Sequence, residues 1–204
     1  MANNQIRVGQ ATLADGGEAP LRGDRQGAQV VTELNGRYYE QAFRKNLFWA
    51  HAIVTAPVIY STAAGTGGPL LYNGTANVNA VLLGVGFGNT TVTTVAAALG
   101  ITGGPTTAPS ATTAIDSRTN AFIGGASSAC TPYRVGTVSA AGTFFLPFAH
   151  LHTGALTVDT SGVLWVDLGG SIVVPPGYFA SVAASATATT AVASISLLWA
   201  ELPI

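Results

Sequence analysis

Two histidines separated by a single residue are the strongest candidate for a metal site in this sequence. On a β-strand, residues i and i+2 project to the same face, so His150 and His152 could share one ion. Asp159 could supply a third ligand from across a hairpin. No Glu or further His follows at the spacing that enzymes with such a pair use. We therefore expect both histidines to be partly exposed or to belong to a polar network, and the sequence predicts no metal and no cofactor.

Other arrangements that support catalysis are weak. Asp159 and Asp167 could approach each other as the paired carboxylates of a glycosidase do, but capping of a turn explains Asp159 more simply. Gly84, Gly86 and Gly88 lack the GxGxxG spacing of a dinucleotide loop, and close packing of backbone in a sheet is the interpretation that we favour. No serine lies in a GxSxG motif. The sequence predicts a protein that is not an enzyme.

Cys130 is the only cysteine. A single cysteine can form neither a disulfide within the chain nor a site with several cysteine ligands. Its surroundings, GGASSAC (124–130), have the composition of a loop.

Charge is scarce and unevenly distributed. Only 8% of the 204 residues are charged, against roughly 25% in typical soluble domains, and the net charge is −1. Residues 1–45 carry 11 of the 17 charges, and 46–115 carry none. Binding to a phosphate backbone needs many cations on one face, so we expect no direct contact with nucleic acid. The start, MANNQIRVGQ, lacks the pattern of a secretory signal, and we expect assembly in a cytoplasm.

The C-terminal segment is uncharged between Asp167 and Glu201, and its length would suffice for a membrane helix. However, it is rich in Ser and Thr. In AVASISLLWAEL, Ala193, Ile195, Leu197 and Trp199 alternate with Ser194 and Ser196, which is the period of a half-buried strand. We therefore predict two core strands with a hydroxyl-rich outer face, Trp199 in the core and no membrane span.

Short strands separated by turn signals continue through the rest of the chain and predict an antiparallel sandwich. We expect exposed loop at 102–114, because that segment is rich in Thr, Pro and Gly. The segment 90–101 fits a strand or a short helix. The other predicted strands and turns are strands at 50–61, 79–89, 155–159, 163–167 and 178–185, and turns at 160–162 and 175–177.

Two Asn residues fit the glycosylation sequon, Asn73 in Asn-Gly-Thr and Asn89 in Asn-Thr-Thr. Asn-Gly also favours tight turns. Because no secretory signal is recognised, we predict turns at both positions.

The N-terminal part differs from the body. Residues 1–45 mix charge with Gly and Pro and contain few apolar residues. The apolar area that they could bury by themselves is too small to compensate for the conformational entropy lost on ordering. We predict an arm over 1–45 that orders on a partner and a β-sandwich body over 46–204. A short strand or helix is expected at the junction, with Phe48 and Trp49 docking it to the body.

Both ends of the chain resemble a known group of proteins. LRGDRQGAQVVTELNGRYYEQAFRKNLFWA (21–50) resembles the start of small virion proteins encoded among the head genes of tailed bacteriophages. It carries Arg-x-Asp-Arg-x-Gly-Ala-x-Val-Val, then Gly-Arg-Tyr-Tyr-Glu, then a basic pair before Asn-Leu-Phe. The closing VPPGYFASVA and SISLLWAEL are similar to their final strands.

The resemblance implies a capsid decoration or cement protein. Its body would be an antiparallel jelly-roll-like β-sandwich, and it would form a homotrimer on the outer capsid surface, with the major capsid protein as partner. The residues implied to contact the capsid or a neighbouring subunit are Arg22, Asp24, Arg25, Arg37, Tyr38, Tyr39, Arg44 and Lys45. Alternatively, the segment 37–40 caps and packs the junction with the body.

Two further functions remain open. A knob of a tail or head fibre could bind host-surface glycan through loops such as 102–114, although that loop contains no aromatic residue. A cupin-like enzyme could use His150 and His152, although the rest of the cupin pattern is missing.

Overall fold

The computed structural model describes residues 38–55, 58–59, 66–67, 69–89, 97–115, 119–151, 163–184 and 192–204. The chain divides into two compact units, Met1–Tyr39 and Glu40–Ile204. Within the first unit, only Tyr38 and Tyr39 are described. Most of the predicted arm therefore lies outside the described residues.

The described part of the chain contains one short helix and thirteen strands, which confirms the predicted all-β class. The helix α1 spans Tyr39–Phe43. The strands are β1 (Leu47–Thr55), β2 (Val58–Ile59), β3 (Thr66–Gly67), β4 (Leu70–Asn73), β5 (Val78–Asn89), β6 (Ala97–Pro105), β7 (Ser110–Ala114), β8 (Thr119–Asn120), β9 (Thr131–Thr137), β10 (Thr143–Leu151), β11 (Val163–Val174), β12 (Tyr178–Ala184) and β13 (Val192–Pro203).

These strands form two antiparallel sheets that pack together as the predicted sandwich. The five-stranded sheet has the order β11-β5-β13-β1-β8. The eight-stranded sheet has the order β10-β6-β12-β4-β9-β3, with β7 antiparallel beside β9 and the two-residue β2 parallel beside β12. The hydrophobic core draws side chains from both sheets, including Val85 and Ile195 from the first and Leu99 and Val182 from the second.

Strand β13 shows the predicted alternation. Ile195, Leu197 and Trp199 are at most 2% exposed, whereas Ser194 and Ser196 are partly exposed on the opposite face. Because β13 lies between β5 and β1, its inner side chains reach the centre of the core. The ring of Trp199 stacks on Phe48 of β1, with the centroids 5.9 Å apart.

The uncharged C-terminal segment contributes one strand to each sheet, which confirms the prediction of two core strands. Strand β12 is buried between β4 and β6 in the eight-stranded sheet, and its Ala180, Val182 and Ala184 face the core. Among the described residues, no helix is long and apolar enough to cross a bilayer.

The turn predicted at 175–177 connects β11 to β12. Gly177 has a φ of 76°, which glycine adopts without steric cost. Its N–H donates to the Asn73 carbonyl at 2.8 Å, and its carbonyl accepts from the Thr106 N–H at 2.9 Å. The turn is thereby tied to two neighbouring connections.

The prediction of an exposed loop at 102–114 is wrong. The first part of this segment completes β6, and the last part forms β7. Thr102 is buried and donates from Oγ1 to the Thr143 carbonyl at 3.2 Å. Gly and Thr usually mark loops, but here small residues let β6 pass close to its neighbours. A Cβ atom added at Gly142 would lie 3.3 Å from the backbone nitrogen of Gly103 in β6.

Other predicted elements are found in part. Strands β1 and β2 occupy the predicted 50–61, and β5 the predicted 79–89. Of the ambiguous segment 90–101, residues 97–101 belong to β6. The strand predicted at 155–159 and the turn at 160–162 lie outside the described residues.

We predict that Trp199→Ala lowers the free energy of unfolding by about 3 to 5 kcal/mol, because it removes the largest fully buried side chain and leaves a cavity. Urea denaturation measures this change. The control is Ile204→Ala, at a residue 72% exposed, which should change stability by less than about 0.5 kcal/mol. Equal midpoints for the two variants would contradict the core assignment.

Candidate functional site

The side of the five-stranded sheet that faces away from the core presents a row of residues across four strands. Trp165 of β11 pairs with Gly86 of β5, Gly86 pairs with Ser196 of β13, and Ser196 pairs with His51 of β1. His51 Nδ1 lies 3.1 Å from Ser196 Oγ, within hydrogen-bonding distance. We call this side, with Trp49, Ile53 and Ser194 in the adjacent rows, the outer face.

Two glycines form the floor beneath Trp165. A Cβ atom added at Gly84 would overlap the six-membered ring of Trp165, and one at Gly86 would lie 3.3 Å from its Cε3 atom. The indole therefore lies directly against the backbone of β5. This close packing is the role that we predicted for the glycine-rich stretch.

Trp165 also contacts Trp49 of β1. Their ring centroids are 5.8 Å apart with an interplanar angle of 39°, and the two side chains are 43% and 40% exposed. The strand register places Leu198 of β13 between Gly84 of β5 and Trp49 of β1, and Leu198 is buried. The outer face is thus a largely apolar aromatic surface with hydroxyl and imidazole groups beside it.

Phe48 and Trp49 have different roles, although we predicted that both dock the junction to the body. Phe48 faces inward and is buried against Trp199. Trp49 faces outward and belongs to the outer face, because successive residues of a strand project to opposite sides.

Four of the eight predicted contact residues are described. Tyr38 is half-buried, and Tyr39, Arg44 and Lys45 are exposed around α1. The other four, Arg22, Asp24, Arg25 and Arg37, lie outside the described residues.

Lys45 lies two residues after the end of α1 and has a left-handed backbone conformation, with a φ of 64°. Its N–H donates to the Ala42 carbonyl, and the Asn46 N–H donates to the Gln41 carbonyl, both at 3.0 Å. This pair of bonds is the Schellman motif, which satisfies carbonyls at the end of a helix. Lys45 therefore has a structural role at the junction in addition to its exposed charge.

A tight turn beside Lys45 presents the most exposed large apolar residue among those described. Ile123 is 94% exposed, and the Gly125 N–H donates to the Phe122 carbonyl at 2.8 Å across it. Gly124 has a φ of 84°, as the third position of a type II turn requires. We call residues 122–125 the Ile123 turn. The Lys45 Nζ atom lies 5.0 Å from the centroid of the Phe122 ring.

Glu201 forms a polar centre that sequence reasoning did not identify. Its Oε1 atom accepts hydrogen bonds from the Ser128 hydroxyl, from the Cys130 N–H at 3.0 Å and from Trp199 Nε1 at 3.2 Å. Its Oε2 atom accepts from the Ala129 N–H at 2.9 Å. All four donors are neutral, and the three from residues 128–130 attach this loop to strand β13.

Burial raises the pKa of the Cys130 thiol well above its ordinary value, and the charge and hydrogen bonding of Glu201 raise it further. The thiolate is the form that attacks electrophiles and binds metals, so Cys130 stays protonated and inert near neutral pH.

The sequon at Asn73 lies in the predicted turn, which joins β4 to β5. Asn73 is fully buried, and its Nδ2 donates to the Val78 and Val174 carbonyls at 2.8 and 2.9 Å. Its Oδ1 accepts from the N–H and hydroxyl of Thr75. Because the amide nitrogen is inaccessible and used, Asn73 holds the turn and is not a glycosylation site in the folded chain.

No family model, curated protein or solved structure matches this chain.

The metal and carboxylate hypotheses rest mainly on residues that are not described. His150 belongs to β10, whereas His152 and Asp159 lie outside the described residues. Asp167 is exposed and accepts from the Gly169 N–H at 2.9 Å. No group of three His, Cys, Asp or Glu residues in the described ranges is placed to hold a metal ion.

Sequence signals for two of the missed features do exist. In LFWAHAIVT (β1), Trp49, His51 and Ile53 alternate with small or apolar residues, as they would on the outer side of a strand. Glu201 is the only charged residue after Asp167 and stands two residues from Trp199, so both project to one face. Neither signal identifies the partners across the sheet.

We predict that Gly84→Ala displaces the Trp165 ring, lowers stability by about 1 to 3 kcal/mol and shifts tryptophan emission. A double-mutant cycle with Trp165→Ala provides the control. Once the indole is removed, the methyl group has no ring to overlap, and the cost of Gly84→Ala should fall. If Gly84→Ala lowers stability equally with and without the Trp165 side chain, the proposed close contact between Gly84 and the Trp165 ring is contradicted.

We also predict that Glu201→Gln destabilises the chain by about 2 to 3 kcal/mol, because the amide directs donors at groups that are themselves donors. Thermal or urea unfolding measures the loss. The matched control, Asp167→Asn, keeps its accepting oxygen at an exposed site and should be near neutral. A stability loss as small as that of the control would mean that the carboxylate does not hold the loop.

Proposed function

We propose that this chain is a structural virion protein that decorates and stabilises a bacteriophage capsid as a homotrimer. In this proposal it works by binding and not by catalysis, on the outer capsid surface, with the major capsid protein as partner and without direct contact to nucleic acid or membrane. The resemblance of residues 21–50 to phage virion proteins supplies the class, and the outer face is the observation that carries the role.

The outer face has the composition of a protein interface. Interface cores are enriched in aromatic residues and depleted of charge. Trp49, Ile53 and Trp165 expose 40 to 50% of their surface on one side of one sheet. Covering such a surface with a second subunit removes apolar area from water and leaves few polar groups to desolvate.

We further propose that the sandwich is a jelly roll. The supporting observation is the strand order of its eight longer or central strands. The eight strands, in chain order, are β1, β4, β5, β6, β10, β11, β12 and β13. The first, eighth, third and sixth of them are successive neighbours in the five-stranded sheet, and the second, seventh, fourth and fifth are successive neighbours in the eight-stranded sheet. This is the connectivity of two Greek keys wrapped into one sandwich.

A second candidate function is recognition of host-surface glycan by a fibre knob. The observation that favours it is the exposed Trp49 and Trp165 pair, with Asp167 two residues after Trp165 on the same strand. Aromatic rings present a flat apolar surface with a polar edge, and a carboxylate can accept sugar hydroxyls. The candidate position is thus the outer face, since residues 102–114 are mainly strand.

The test is the light-scattering mass of the full chain and of Ile53→Asp, which places a charge on the outer face. We expect the full chain at three times its 20.6 kDa mass and the variant at a lower mass with an unchanged melting temperature. The matched control is Ile204→Asp, at an isoleucine that is 72% exposed and lies beyond the last residue of β13.

A monomeric full chain would contradict the trimer proposal. If the mass of Ile53→Asp equals that of the full chain, the outer face is not the subunit contact. Quenching of tryptophan emission by a neutral oligosaccharide, lost in Trp165→Ala, would then favour the glycan function.

A further inference from the structure

We propose that the Ile123 turn, together with Arg44 and Lys45, is the docking contact for the partner, and that the partner surface is an apolar pocket bordered by carboxylates. This inference rests on the proposed function, in which the partner is the major capsid protein. It assigns the contact to the end of the body where the described chain begins, and not to the outer face.

The first observation is the exposure of the turn. Ile123 is 94% exposed in the middle of the turn, and the Phe122 side chain before it is 39% exposed. An apolar side chain held at the apex of a tight turn contributes nothing to the core of its own chain. It has the shape of an anchor that fills a pocket in another protein.

The second observation is that the turn is preorganised. The buried amide of Asn120 donates to the Lys45 carbonyl at 2.7 Å and to the Ala126 carbonyl at 3.2 Å, and it accepts from the Phe122 N–H at 2.8 Å. A Cβ atom at Gly125 would lie 2.6 Å from Asn120 Cγ, so the turn closes tightly over this amide. Binding by such a turn costs little ordering entropy, which leaves more of the contact energy for affinity.

The third observation is the charge around the turn. The Lys45 ammonium lies over the Phe122 ring, and Arg44, the residue before Lys45, is exposed as well. Phe43, at the end of α1, is 61% exposed. A cation beside an apolar anchor complements a pocket with acidic residues at its rim.

A second copy of the body fits this contact poorly. Residues 46–204 contain only four acidic residues, Asp116, Asp159, Asp167 and Glu201, and the Glu201 carboxylate is buried and occupied by four donors. Among the described residues of the outer face, Asp167 is the only carboxylate, beside aromatic and hydroxyl groups. The charge pattern of residues 46–204 therefore favours a different protein over the body of a second copy as the occupant.

The experiment measures binding of the full-length chain to heads of the encoding phage from which this protein has been stripped. The variants are Ile123→Asp and Lys45→Gln, with Ile204→Asp as the matched control at an exposed isoleucine elsewhere. We expect Ile123→Asp to weaken binding by about tenfold or more and Lys45→Gln to weaken it less. We also expect added salt to weaken binding of the unaltered chain, and the control to bind as that chain does.

Light-scattering mass and melting temperature of every variant separate the possible failures. If the unaltered chain does not bind heads, the proposed function fails. If it binds and Ile123→Asp binds equally well with an unchanged mass, only the docking inference is overturned. If Ile123→Asp lowers the oligomer mass, the turn is a contact between copies and the inference is likewise overturned.

Discussion

The buried carboxylate of Glu201 connects strand β13 to the irregular loop that precedes β9. Removing a carboxylate from water costs several kcal/mol unless good hydrogen bonds replace the lost hydration. Glu201 receives four, from an indole, a hydroxyl and two backbone amides. Since one donor is the polar atom of fully buried Trp199, the same group also allows the largest core residue to be placed without an unsatisfied N–H.

Small residues impose a second constraint on the same sheet. Strand β5 runs beside β13 and presents Gly84 and Gly86 outward, so that an indole from β11 can lie on its backbone. Trp49 from β1 completes the pair on the other side of β13. The aromatic surface of the outer face is therefore built by three strands around a central one, whose inner side is fixed by Trp199 and Glu201. Core and surface depend on the same strand.

The parts of this structure that sequence could predict are those with a short repeat. Alternation over two residues identified β13 and its inward Trp199, and short strands separated by turn signals identified the sandwich class, because both patterns are local information. The segment 102–114 was predicted wrongly for the converse reason: its composition is that of a loop, and only its pairing partners make it strand. Glu201 and the loop at 128–130 are about 70 positions apart in the chain, and no local pattern reports such a contact. The packing of Gly84 and Gly86 was predicted in part. Close packing at the β5 backbone was expected from the glycines, but the sequence did not indicate that the Trp165 ring is the group packed there.

The two exposed surfaces differ in how they are built, and this difference bears on what each is suited to bind. The outer face is broad, rests on regular strands and is poor in charge, so its favourable contact is with another apolar surface of similar shape. The Ile123 turn is small, is held by the amide of Asn120 and stands beside cations, so its favourable contact is a pocket of opposite charge. A chain that must join copies of itself and also grip a different protein benefits from keeping these surfaces chemically distinct, because neither then competes for the partner of the other. In the proposed assembly, scarcity of charge in the body increases specificity, because residues 46–204 of a neighbouring copy offer only four acidic residues to the exposed cations near residue 45.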